Sequence, residues 1–444
     1  MQARGSNASV LAQLAGTGLA GRSLQTVAHL SRQWWVRLSL IVLSAALNGR
    51  SLWAVYQDTG LLNAIGIDYK LYYLMARAFW SDDPGNAYHP STWVPYLAAL
   101  RPYYAHADSD PAPPGLVLYP PLFPWAFRPF LDLSPHVGFF LWTALNIAAA
   151  AYLTWRVAQR FPRGQQFWIA LLLWNSLALW SALVSGQIQV LLACAFAESY
   201  LALRAGHDAS ASFWLGWLLV KPQYGVLLGL VLVWKRRWRV VVGVVGVGLL
   251  LLGSSLLVAG LPALIAFMTT AQRYVDFSGT LDPYVAPQLM LNWRALVLYG
   301  LRTLGDEPRL WLTLVLSLGT TLGALALWRG PWRPTEPNFP AKMTVLMLAT
   351  ILTAYHSHSY GPLLLLMPLA DLLVEWRPAW LTRLVIVAAA VGPMLMITVV
   401  SFNNMARGTL LFTALLLACY GCLLVEFWRR PERGAAPVAM REAA

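Results

Sequence analysis

Apolar stretches of roughly 15 to 20 residues recur along most of this chain, each close to the ~20 residues a helix needs to cross ~30 Å of hydrocarbon. Such a chain folds as a polytopic membrane protein whose core is the membrane bundle itself. Its 444 residues are 58% apolar or aromatic and only 11% charged, whereas soluble domains run near ~25% charged. That composition excludes an ordinary soluble enzyme, a disordered chain and a disulfide scaffold. Cys194, Cys419 and Cys422 all lie in apolar runs, so neither a disulfide framework nor a metal-binding spacing follows. The formal charge of +13 reads as the excess of Lys and Arg in cytoplasmic loops. No basic cluster on a soluble face points to nucleic acid.

Charge also orients the spans. Arg4, Arg22, Arg32 and Arg37 precede a first span at about 37–56, which places the N-terminus in the cytoplasm and makes the span a retained anchor. Residues 57–117 carry six acids and three bases, with prolines at 84, 90, 95, 102, 111, 113 and 114. This reads as a long, acidic outer loop. Residues 119–133 are apolar but short and proline-broken, and read as re-entrant or interfacial. Spans are expected at 136–156, 166–184 and 187–204. Between the loop near Arg204 and the cluster Lys235, Arg236, Arg237 and Arg239 stands one mainly apolar stretch, 211–234, of only 24 residues, with both ends wanting the same side. Two half-helices hinged at Lys221-Pro222 satisfy this, since proline breaks the helix there. Irregular backbone at membrane depth implies a cavity. Further spans are expected at 240–259, 309–328, 341–355, 360–374, 380–400 and 409–427.

The fold class is therefore an all-α polytopic membrane protein of about 12 transmembrane segments, with both termini cytoplasmic. A cytoplasmic segment 1–36, one membrane domain 37–428 and a tail 429–444 complete the organisation.

Five places can carry chemistry. Asp68 opens a helical pattern just past the first span, as an N-cap or as a general base at the membrane surface. Tyr119-Pro120-Pro121 is an interfacial turn or a substrate contact, with Arg128 nearby as a snorkelling anchor or phosphate ligand. Ser185-Gly186-Gln187 is a tight turn that starts the next helix with a hydrogen-bonding side chain. Lys221 is the most informative residue. A lysine in an apolar stretch costs about 2.5–3.5 kcal/mol on insertion scales and usually serves function. The half-helix after it points its positive dipole end at the hinge, which favours an anion. His356 and His358 flank an outer turn, as catalytic or binding groups or as loop residues; no Cys or acid adjoins them to complete a metal set. Asn292-Trp293-Arg294 is a weaker polar patch, and Glu198 sits mid-span where an arginine can pair with it.

The order of these features resembles glycosyltransferase family 87, the polyprenol-phosphate-mannose-dependent α-mannosyltransferases with a GT-C membrane fold. The matching series is Asp68 and Tyr72, then Tyr119-Pro120-Pro121. Trp142 and Asn146 follow, then Gly186-Gln187, then Gly216 with Lys221-Pro222, and finally His358 and Pro368. It spans roughly residues 60–375. The family often shows an Asn-x-Ser motif where this chain has Asn292-Trp293-Arg294, and an Asp or His where Ser359 follows His358. His356 therefore rivals His358 for one role.

The resemblance implies a hexosyltransferase that moves mannose or a related sugar from a polyprenyl monophosphate to a lipid- or glycan-linked acceptor, by a single inverting displacement. Asp68 is then the base, with His358 or His356 as alternative base or acceptor-orienting group. Lys221 stabilises the departing phosphate, and Gln187 and Arg128 assist in donor binding. Tyr72, Tyr119, Gln223 and Asn292 contact substrate. The reading requires no nucleotide and no essential divalent metal. It puts the protein in the plasma membrane with the site on the extracytoplasmic side. A transferase of arabinofuranose or an aminosugar, or a polytopic transporter, is the alternative.

Overall fold

The computed structural model describes residues 33–59, 65–81, 83–98, 100, 102, 118–275, 290–301, 303–400 and 405–430. The basic N-terminal segment, the proline-rich stretch 103–117 and the tail from Pro431 lie outside these residues. Among the described residues the secondary structure is helical, with one isolated bridge joining Met290 to His358.

The first span is α1, Trp34–Thr59. A buried α2, Ile67–Phe79, follows, and then turns over Pro84–Tyr88 and Pro90–Trp93. Residues 119–133 form two short helices, α3 Leu122–Ala126 and α4 Arg128–Leu131. Neither is long enough to cross a bilayer at ~1.5 Å per residue. Next come α5, Pro135–Ala158, and a pair bent by 51°, α6 Arg163–Trp174 and α7 Leu177–Ser185.

The single span expected at 166–184 is thus broken. Asn175 leaves helical geometry at φ −104. Its side chain accepts from Ser44 Oγ at 2.7 Å and donates to Leu171 O at 2.7 Å. Ser176 then caps the second helix through Leu179 N.

Helix α8, Gln189–Ala205, runs from the Gly186-Gln187 turn to Arg204. The hinged pair expected at 211–234 is present. Helix α9, Asp208–Gly216, ends in a tight turn before Lys221, whose φ/ψ of −131/75 is non-helical, and α10 is Val226–Trp234. Helix α11, Trp238–Val275, is far longer than the 240–259 expected, and continues through a kink at Gly260 (φ 75) and Pro262. The remaining helices are α12 Trp293–Gly300, α13 Asp306–Ala326, α14 Phe339–Thr353, α15 Leu366–Asp371, α16 Trp380–Val400 and α17 Met405–Arg429.

Among the described residues five helices are long and apolar enough to span a membrane, six if the bent pair counts as one. The expected count of about 12 included shorter and broken pieces. One is α14, whose residues 339–352 are all buried, as expected of a helix apolar on every face. Another is 360–374, where Pro362 and Pro368 divide the chain into a tight turn, α15 and a π-turn over Leu372–Trp376.

Ion pairs tie the far end of α8. Arg204 meets Asp371 at 2.7 Å and Glu375 at 2.7 Å, and Arg160 also binds both acids. Tyr200 donates to Asp371 Oδ2 at 3.0 Å. Midway along α8, Glu198 accepts two bonds from Arg156 of α5, at 2.6 and 3.0 Å.

Candidate functional site

The near end of α8 carries the other polar cluster. Gly186 ends α7 at φ 73, a left-handed conformation that costs glycine least. A Cβ there would stand 3.0 Å from Tyr69 Cβ and 3.3 Å from Phe139, so the position tolerates little else. Trp142 Nε1 donates to Gly186 O at 2.6 Å, and Asn146 donates to Trp142 O at 2.9 Å. The Trp142–Asn146 pair thus holds the turn that presents Gln187.

Gln187 is buried and is the centre of the cluster. Its Oε1 accepts from Lys221 Nζ at 2.9 Å, Tyr119 OH at 3.0 Å, Ile188 N at 3.0 Å and the Tyr72 hydroxyl. Its Nε2 donates to Tyr360 OH at 3.0 Å. An amide oxygen has two lone pairs, so donors outnumber acceptor capacity. The Lys221 ammonium also lies 4.9 Å from the Tyr360 ring and 5.7 Å from the Tyr119 ring, within cation–π range.

Asp68 faces the same cluster. It is not the N-cap of α2; Gly66 occupies that position in left-handed conformation, and Asp68 sits in the first turn. The Gly66 amide donates to Val184 O at 2.7 Å and docks α2 beside the Ser185 turn. Burial raises the Asp68 carboxyl above the ordinary carboxylate range, opposed by the Lys221 charge and by Ser185 and Gln187. A carboxylate raised in this way is a better proton acceptor near neutral pH. Burial, and then the Asp68 charge, raise the Tyr72 phenol well above its usual range, so it stays protonated and able to donate.

His356 and His358 adjoin this cluster through Tyr360. Their Nε2 atoms lie 3.0 Å apart, and the His358 ring is 5.5 Å from that of Tyr360. Burial, His358, Lys221 and Arg294 together hold His356 well below the usual histidine range, so it is neutral at pH 7. Segment 290–292 clips the histidine turn in place: Leu291 N donates to Ser357 O at 2.6 Å, and Asn292 Nδ2 to Ala354 O at 2.9 Å.

The sequence-derived residues divide accordingly. Asp68, Tyr72, Tyr119, Gln187 and Lys221 converge, with His356 and His358 adjoining. Asn292 is buried; its Oδ1 accepts from Ala295 N to cap α12, and its Nδ2 binds the turn. Arg128 stands apart, 5.3 Å over Trp80 and 3.5 Å from Asp132. Gln223 is half-buried after the hinge, and no described hydrogen bond joins it to Lys221. Sequence reasoning gave no role to Tyr360 and missed the importance of Arg294, and it read Ser185 only as part of the turn. Arg294 stacks 4.1 Å over Tyr355, and its Nη1 is buried without a hydrogen-bond partner. Tyr360 carries one signal in the sequence, its place two residues beyond His358.

The arrangement is a buried group of donors and cations opposite one carboxylate. It suits an anion on one side and a proton to be removed on the other.

A polyprenol-phosphate-mannose-dependent alpha-(1-2)-phosphatidylinositol pentamannoside mannosyltransferase of Mycolicibacterium smegmatis is 27% identical over 308 residues, which cover 66% of this chain and 65% of that relative. The chain thus spans just under two thirds of the relative's length. No solved structure matches it. The model of glycosyltransferase family 87 matches residues 117–355, a range that holds Tyr119, Gln187 and Lys221 but ends short of Asp68 and the histidines. That match covers more than half of the chain, and the chain belongs to glycosyltransferase family 87.

Proposed function

We propose that this protein transfers mannose, or a related hexose, from a polyprenyl monophosphate donor to a lipid- or glycan-linked acceptor on the extracytoplasmic face of the membrane. One observation carries this reading: Lys221 and Asp68 both meet Gln187, where donors exceed acceptors. The donor phosphate takes the surplus. Its oxygens bind the Lys221 ammonium and the hydroxyls of Tyr72 and Tyr119, and the sugar is turned towards Asp68.

The acceptor hydroxyl then attacks the anomeric carbon from the side opposite the phosphate. Its proton passes to Asp68 as the new C–O bond forms. The bond between the anomeric carbon and the phosphate oxygen breaks, and its electron pair leaves with the lipid phosphate. Lys221 meets the charge that develops there, an interaction that strengthens towards the transition state. His356, held neutral, and its neighbour His358 orient the acceptor. This order of events needs no nucleotide and no divalent ion.

The test is transfer by purified protein in nanodiscs, with radiolabelled polyprenyl-phosphate-mannose and host membrane lipids as the acceptor pool. A labelled product lost in Lys221→Ala is the expected result. Tight donor binding without any product in any lipid pool favours the transporter reading, and absence of donor binding removes the donor site altogether.

A further inference from the structure

Arg294 takes no part in the chemistry above. It is the second residue of α12. The cap of that helix, Asn292, donates to Ala354 O at 2.9 Å and to Tyr355 O at 3.2 Å, so Arg294 and the histidine turn are held as one assembly. The guanidinium lies 4.1 Å over the Tyr355 ring. Its Nη1 is buried without a hydrogen-bond partner, and among the described residues no acid pairs with it. A buried N–H on an uncompensated cation is costly unless something binds it. The charge also reaches the candidate site. After burial and His358, Lys221 and Arg294 together depress His356, and Lys221 in turn acts on Asp68.

The reaction changes the charge of its leaving group. The donor is a phosphodiester with one negative charge. When the bond to the anomeric carbon breaks, its electron pair stays on the phosphate oxygen. The product is a phosphate monoester, whose second pKa is about 6, so near neutral pH it carries close to two charges. The proton of the acceptor meanwhile neutralises Asp68. Lys221 and Arg294 together match both states: a carboxylate and a phosphodiester before transfer, a protonated acid and a dianion after it. Lys221 alone leaves one negative charge unmatched in each. The monoester also exposes a further oxygen, and a guanidinium fork can take two oxygens at once, which a lysine cannot.

We propose that Arg294 binds the released polyprenyl phosphate and takes the second charge that the phosphate gains when the sugar leaves. The inference rests on the transferase reading above and adds a ligand for its lipid product.

Binding tests it without turnover. Protein in nanodiscs is titrated at pH 8 with polyprenyl monophosphate, a dianion there, and with the methyl ester of the same lipid, a monoanion. The wild-type protein should bind the monoester about tenfold or more tightly than its methyl ester, the scale of one hydrogen bond to a charged group. Arg294→Gln should lose that preference while its affinity for the methyl ester stays largely unchanged. Arg294→Lys, which restores the charge without the fork, should recover part of the preference. Arg294→Met keeps an apolar stem against Tyr355 and serves if the glutamine variant fails to fold. Lys221→Gln should weaken both ligands together. A preference that survives in Arg294→Gln would overturn the proposal. So would equal loss of both ligands in that variant, as expected of a merely structural arginine. Equal binding of the two ligands by the wild type would also overturn it and leave the transferase reading standing. A wild-type protein that binds neither lipid would remove the donor site, and the transferase reading with it.

Discussion

The two ends of α8 carry polar clusters of opposite kind. The helix has 17 residues, so they stand roughly 25 Å apart at ~1.5 Å per residue. At the Arg204 end, two arginines meet two carboxylates, and a tyrosine donates to the buried one. Every charge there has its opposite. At the Gln187 end, four donors crowd one amide oxygen, a lysine and an arginine stand near two histidines, and one carboxylate faces them. Burying charge is costly unless it is paired. The first cluster is complete by itself and clamps helices together. The second has more donors than acceptors, which suits it to an anion.

That contrast fails if mutations at the two ends have the same consequences. The largest effect belongs to Asp68→Asn, which should lower transfer about 10²–10⁴-fold, the range of general base catalysis. Its thermal midpoint should not move. A loss of folding alongside activity would make Asp68 a structural residue and erase the distinction.

Asp371→Asn is the converse test. It leaves two arginines against one remaining carboxylate, and breaking a buried ion pair costs about 3–5 kcal/mol. The melting temperature should drop, while the molecules that stay folded keep their donor KM. An unmoved midpoint would show that the Arg204 end is no clamp.

Lys221→Gln sharpens the view of the open cluster. The Lys221 charge lowers the Asp68 pKa against the larger effect of burial. Removing it raises that pKa further, and transfer needs the ionised carboxylate. The acid limb of the residual rate should therefore move to higher pH. A limb that stays in place would uncouple the two residues.

The smallest change is Tyr360→Phe. It removes the acceptor of the Gln187 Nε2 hydrogen bond, worth about 0.5–1.5 kcal/mol. Donor KM should rise by less than about tenfold, the equivalent of ~1.4 kcal/mol. A loss as deep as that of Asp68→Asn would mean that Tyr360 itself touches the reacting groups.

The sequence announced the hinge at Lys221 because two basic ends want the same side and stand too close for two full-length helices. It could not announce the break at Asn175. No charge changes sign there, and the surrounding WNSLALW reads as continuous apolar helix. The extent of α11 was hidden for the same reason, since no charged residue lies between Arg239 and Arg273. Site residues with a local anomaly, such as a lysine in an apolar run or a histidine pair, stood out. Arg294 did not, because arginine is the common cation of this chain and its partner Tyr355 lies some 60 positions away. Asn292 drew attention as a polar residue, but polarity alone does not separate a helix cap from a substrate contact.

The reach of α11 past Gly260 bears on how the protein is made. Its last turns pack on the segment after α2: Thr270 donates to Tyr88 O at 3.3 Å, a pairing of residues 182 positions apart, and the rings of Phe267 and Tyr88 lie 5.5 Å apart. Ribosomes add about 5–20 residues per second, so Tyr88 is synthesised roughly 10 to 35 seconds before its partner exists. Lys221 and Tyr360 reach Gln187 later still than Gln187 itself is made. Assembly of the cluster is therefore a late step of biogenesis, and a ribosome stalled before Thr270 leaves a chain whose segment around Tyr88 has its bond to Tyr119 O but lacks its cover from α11.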